Sequence, residues 1–190
     1  MVPLLTKIRF KKRLLGIAEK VREEFGIDPL LCVTQAAHES NWGESQLARA
    51  ADNLFGMTAT QSWYDAKKEV YPIATREYHK LPPEKIKYWN RPGDIIEKKD
   101  DGNGGSILMV EVDFRKYKSW DESVMDWARK ISTKERYKQA YYYAKLGDYK
   151  EFFQSLQEGG WATDPNYSIK MIGVYNVVLG LQDDDNQEFV

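Results

Sequence analysis

Residues 35–45 read QAAHESNWGES, and the apolar run LLCVTQAA leads into them without a break until His38 and Glu39. A carboxyl group in the last turn of an apolar helix loses water and faces the negative end of the helix dipole. Both effects disfavour its charged form. A carboxylic acid kept protonated near neutral pH is what general-acid cleavage of a glycosidic bond requires. Spacing alone leaves a second reading open, in which Glu39 reaches solvent at the helix end and pairs with Arg49. Glu77, in ATREY, is the second candidate carboxylate. Glycoside hydrolysis commonly places two carboxylates on opposite walls of the substrate, and a helix-borne and a strand-borne Glu suit that arrangement.

Other chemistries draw less support from the composition, with a Ser-His-Asp triad left open. The only histidines are His38 and His79, and neither HExxH nor a cysteine cluster is present. No metal and no cofactor are therefore expected. GxSxG is absent. DGNGG (101–105) lacks the Lys-Ser/Thr of a phosphate loop and reads as a turn. Cys32 has no partner for an intrachain disulfide and lies inside the apolar run, as a buried small side chain would.

The elements that must position these residues follow from periodicity. Leu14, Ile17, Ala18 and Val21 share a helical face that ends at Gly26. Asp28 and Pro29 then start a second helix, predicted to run to about Ser40 and to be central because it is apolar on nearly every side. A short helix is expected near 44–50, followed by a turn at DNLFG. KEVYPIATREY and ILMVEVDF (107–114) alternate as strands do. The Pro-, Gly- and charge-rich segment between them reads as a long, partly mobile connection. Ser119 with Glu122, and Asp148 with Glu151, form capping boxes before two further helices. Asp164 and Pro165 are expected to cap and open a last helix that closes at Gly180. The fold class is α+β, mainly α: one domain over 1–182, with a helical core, a small β lobe at about 61–114, and an acidic flexible tail at 183–190.

The charges nearly cancel, to −1, so nothing favours a nucleic-acid partner. No segment approaches the ~20 apolar residues of a membrane span. The short apolar part of the N-terminus is interrupted by Lys7, Arg9 and Lys11, unlike a signal peptide. Six Trp and twelve Tyr suit a sugar-binding surface as well as a packed core.

TQAAHESNWGESQLARAADNLFGM resembles the signature of the glucosaminidase family of peptidoglycan hydrolases, glycoside hydrolase family 73. TREY, DFRKYKSWDESVMDWARKI and DYKEFFQSLQEGGWATDPNYSIKMI are similar to later stretches of that family, in the same order, so the likeness covers about 28–178. The resemblance implies a lysozyme-like helical core, with a β lobe over a substrate groove. It implies endo-β-N-acetylglucosaminidase action on the GlcNAc-β-1,4-MurNAc bond of peptidoglycan glycan strands. Glu39 matches the family's acid, Glu77 its second carboxylate and Tyr167 an active-site tyrosine, while Asn53, Phe55 and Gly56 match NLFG beside the groove. Trp42 and Tyr78 are further expected substrate contacts. Asn41 and Asp52 depart from the family's Gly and Asn, and the 79–106 connection is longer than usual. A monomer acting at the bacterial wall is implied, phage-encoded, virion-associated or otherwise exported. The competing functions are a muramidase or lytic transglycosylase on the same scaffold, and a non-catalytic wall-binding or structural tail protein.

Overall fold

Eight α-helices and three strands are found in a computed structural model that describes residues 1–86, 94–162 and 164–182, without the side chains of 77–79 and 94. The chain divides into two units, 1–55 with 118–190, and 56–117, so the expected lobe at about 61–114 lies inside the second. The expected tail at 183–190 lies outside the described residues.

The first unit is helical. Helix α1 (Leu4–Phe25) buries Leu14, Ala18 and Val21 and ends on left-handed Gly26. Helix α2 (Pro29–Glu39) starts where Asp28 accepts from the Leu30 amide at 2.8 Å, with Pro29 in the first turn as the sequence predicts. Every residue of α2 from Leu31 to Ala37 is buried, which is why its apolar run has no polar side. Helix α3 (Gln46–Ala51) is short and capped by Ser45. Helices α5 (Trp120–Thr133), α6 (Lys138–Leu146), α7 (Tyr149–Glu158) and α8 (Tyr167–Gly180) complete this unit. Trp127, Ile131, Phe152, Phe153, Leu156 and Met171 fill its centre.

Two capping expectations shift. Ser119 does accept from the Glu122 amide at 3.3 Å, but the Glu122 carboxylate accepts from Lys118, one residue before the cap. Asp164 and Pro165 do not open α8. Asp164 accepts from the Asn166 amide at 2.9 Å in a turn, and the helix begins at Tyr167.

The end of α2 is unusual. Asn41, Trp42 and Gly43 follow one another at φ of 51, 61 and 79°. Ser40, fully buried, holds this reversal by donating to the Ala36 carbonyl at 2.6 Å and accepting from the Gly43 amide at 2.8 Å. Asn is among the few non-glycine residues that tolerate the left-handed region, which accommodates Asn41. Gly43 is required twice over: at its φ, a Cβ would sit 2.9 Å from the Trp120 ring and 3.1 Å from Phe10. Gly43→Ala is expected to destabilise the protein by about 2–4 kcal/mol, combining left-handed strain and overpacking. A denaturant midpoint measured at unchanged slope reads this, and a shift worth less than about 0.5 kcal/mol contradicts it.

The second unit is built on an antiparallel sheet of order β1-β3-β2, from β1 (Val70–His79), β2 (Asp94–Asp100) and β3 (Ser106–Arg115). Ile86, Leu108, Val110 and Val112 form its core, with Ile95 and Phe114 against them. Two elements differ from expectation. Helix α4 (Gln61–Asp65) precedes β1, with Trp63 buried on it. The supposed bare connection contains β2 and a 3-10 turn at Pro83–Lys85. Strand β2 pairs on one side only, and Glu97, Lys98 and Lys99 follow a bulge, so its sequence looks like a charged loop. Charge on an edge strand also discourages pairing with other chains. DGNGG is the β2–β3 turn: Asp100 and Asp101 accept from the Gly102, Asn103 and Gly105 amides at 2.6–2.9 Å.

Candidate active site

Glu39 occupies the last position of α2, partly exposed, with its Oε1 held by two donors. Trp161 Nε1–H donates to Oε1 at 3.0 Å, and the Tyr167 hydroxyl donates to the same oxygen at 3.0 Å. Behind Tyr167, Gln35 Nε2 donates to the hydroxyl oxygen at 3.1 Å, and Trp127 Nε1–H donates to Gln35 Oε1 at 2.9 Å. Gln35 and Trp127 are both fully buried. The alternative Glu39–Arg49 pair does not form, because Arg49 pairs with Glu44.

Local sequence explains how these groups meet. Gln35 and Glu39 lie one helical turn apart, so α2 presents both on one face. Helix α7 ends at Gly159, whose missing Cβ allows the Arg136 carbonyl to approach; a Cβ would lie 2.6 Å from it. Gly160, at φ 73°, then turns the chain, and the Trp161 amide caps back onto the Leu156 carbonyl at 3.0 Å. Trp161 is flanked by Tyr137, with ring centroids 5.6 Å apart, and by the Lys130 ammonium at 4.4 Å. Tyr167 is fixed as the first residue of α8. Gln157 clamps that turn, donating to the Pro165 carbonyl at 3.1 Å and accepting from the Ser168 amide at 2.8 Å. Lys170, 2.5 Å from Asp164, holds that carboxyl below the usual range, aided by the Asn166 amide.

Both donors direct their hydrogens at Oε1 of Glu39. Burial, and then the neighbouring Glu39, push the Tyr167 hydroxyl well above its ordinary range, so it stays protonated as a donor. The exposed ring of His38 meets Tyr167 edge-on at 5.9 Å.

Not every expected site residue reaches this cluster. Asn53 and Phe55, expected beside the groove, are 1% and 3% exposed. Phe55 instead stacks on Trp127, with ring centroids 5.3 Å apart and planes 16° from parallel, directly behind the chain of donors. Trp42, partly buried, packs on Phe10 at 5.9 Å with Lys7 over its ring. Glu77 and Tyr78 lie in β1, paired with Leu108 and Ile107 of β3; their side chains are outside the described set. Gly56 is exposed, at φ 63°. Among the described residues, no three His, Cys, Asp or Glu side chains gather to hold a metal ion, and no helix is long and apolar enough to cross a membrane.

Three functional candidates escaped the reading of the sequence: Gln35, Trp127 and Trp161. A lone polar Gln in an apolar helix was the available signal for the first. Nothing local marks one tryptophan among six as the donor to a distant carboxylate.

The glucosaminidase family, described as mannosyl-glycoprotein endo-beta-N-acetylglucosaminidase, matches residues 15–178. The chain is 30% identical over 168 residues to the peptidoglycan hydrolase FlgJ of Vibrio cholerae, covering 87% of this chain and 42% of that protein. It is 29% identical over 170 residues to the exo-glucosaminidase LytG of Bacillus subtilis, covering 87% and 49%. The chain thus spans less than half the length of either relative. Among solved structures, it is similar to a peptidoglycan hydrolase from Sphingomonas sp. A1, with a TM-score of 0.65, 26% identity and 92% of each chain covered. It is also similar to a glycoside hydrolase domain of Salmonella typhimurium FlgJ, with a TM-score of 0.63, 28% identity and coverage of 91% and 97%.

Proposed function

The chain belongs to the glucosaminidase family, and on that premise we propose that it is an endo-β-N-acetylglucosaminidase of bacterial peptidoglycan. The bond cut is the β-1,4 linkage from N-acetylglucosamine to N-acetylmuramic acid. The observation that carries this reading is the convergence of Trp161 and Tyr167 on one oxygen of Glu39, at the end of a buried helix. Such a carboxyl group is built to protonate a glycosidic oxygen and to remain stable as the anion afterwards. The peptidoglycan substrate is supported by the named relatives.

In this reading Glu39 is the acid and Glu77 the base that activates water on the opposite face of the sugar. Tyr167 acts through Glu39, while Asn53 and Phe55 of the NLFG stretch belong to the substrate-binding set. Gly56, Tyr78 and the open part of Trp42 contact sugar. The enzyme works as a monomer at the wall, in the periplasm or outside the cell.

Digestion of purified peptidoglycan followed by proton NMR tests the reaction and the base together. A direct displacement by water inverts the anomeric centre. New α reducing ends should therefore form first, and Glu77→Gln should lose at least about a hundredfold in rate. No new reducing ends would contradict hydrolysis, and anhydro-muramyl products would indicate a lytic transglycosylase. Initial β product with activity retained in Glu77→Gln would remove Glu77 from the base role.

A further inference from the structure

Trp127, Gln35, Tyr167 and Glu39 form a hydrogen-bond chain whose direction is fixed by chemistry. An indole N–H only donates, so the Gln35 oxygen faces Trp127 at 2.9 Å and accepts. That orientation commits the Gln35 amide nitrogen to Tyr167, where it donates at 3.1 Å. The Tyr167 oxygen accepts there, and its single hydrogen goes to Glu39 Oε1 at 3.0 Å. Trp161 sends a second hydrogen to the same oxygen at 3.0 Å. A proton on Oε1 would meet two donors and no acceptor.

We infer that Gln35, oriented by Trp127, is a positioning residue that keeps the transferable proton of Glu39 on Oε2. This rests on the proposed role of Glu39 as the acid. The proton then leaves from Oε2 to the glycosidic oxygen, Oε1 carries the resulting charge against its two donors, and the Tyr167 proton never moves. If Gln35 is removed, the Tyr167 hydroxyl is free to turn and accept from Oε1, which holds the proton on the wrong oxygen. The charged and titratable groups around this chain are His38 on α2, Lys130 on α5, Arg136 and Tyr137 before α6, and Asp164 before α8. None of them donates to or accepts from Gln35 among the described contacts.

The test is a double-mutant cycle on the full chain, with peptidoglycan as substrate. Gln35→Met keeps the volume and removes both bonds. It should lower kcat about fivefold to tenfold, the effect of one hydrogen bond between neutral groups, with KM unchanged. In a Tyr167→Phe background, the same substitution should change kcat by less than about twofold, since Gln35 acts only through that hydroxyl. If Gln35→Met does not fold, Trp127→Phe, which keeps a ring against Phe55, carries the same cycle with a loss of about twofold to fivefold. Wild-type kcat in the single variants, a loss that falls on KM instead of kcat, or losses that multiply in the double variants, would overturn the inference. Glu39→Gln, run alongside, separates the two claims. An active Glu39→Gln sinks the acid assignment itself, whereas an inactive one beside an unaffected Gln35→Met sinks only the positioning role.

Discussion

Glu39→Gln is expected to lose at least about a hundredfold in peptidoglycan cleavage while melting close to the wild type. The amide is isosteric, and its oxygen can still accept from Trp161 and Tyr167, so the packing of α2 is undisturbed. What disappears is the transferable proton. A leaving group that needs no proton, such as an activated aryl glycoside, should therefore be cleaved by the variant with much less impairment than the wall polymer. This contrast distinguishes a missing acid from a damaged site. A folded Glu39→Gln enzyme that clears peptidoglycan at the wild-type rate would contradict the assignment.

The second large effect concerns the two donors on Oε1. Trp161→Phe and Tyr167→Phe each remove one hydrogen bond to a group that becomes charged during reaction, worth about 1.5–3 kcal/mol. Each should lower kcat about tenfold or more, and the pair together at least about a hundredfold, with KM little changed. The loss falls on kcat because the charge on Oε1 exists only once the proton has left. Tyr167 is buried, so phenylalanine keeps its packing, while phenylalanine at 161 keeps a ring against Tyr137. Stopped-assay kinetics on solubilised glycan strands read the split. Wild-type kcat in both single variants would show that the pinning of Oε1 contributes nothing.

Most of the helical unit was legible in the sequence because its signals are local. The Asp28-Pro29 start, the Ser119 and Asp148 caps and the apolar run of α2 all decide structure within a few residues. Strand β2 was not legible, because edge strands need only one apolar face and this one contributes Ile95 alone to the core beside charged neighbours. The site divides in the same way. Glu39 stood out because a carboxylate ending an apolar helix conflicts with burial. Tyr167 entered only through family resemblance. Gln35, Trp127 and Trp161 stayed hidden because their function lies in contacts 92 to 132 residues apart, which no periodicity reports. Asn53 and Phe55 were marked by a motif, and their burial is a feature that the motif alone did not report.

The central claim is that Glu39 serves cleavage after N-acetylglucosamine. Exhaustive digestion of purified peptidoglycan, borohydride reduction of the new ends and identification of the reduced sugar test it most directly. N-acetylglucosaminitol should appear in the wild type and be lost in Glu39→Gln, with glycan fragments of mixed length early in the digest as an endo-acting enzyme requires. N-acetylmuramicitol in its place would contradict the account and make the protein a muramidase.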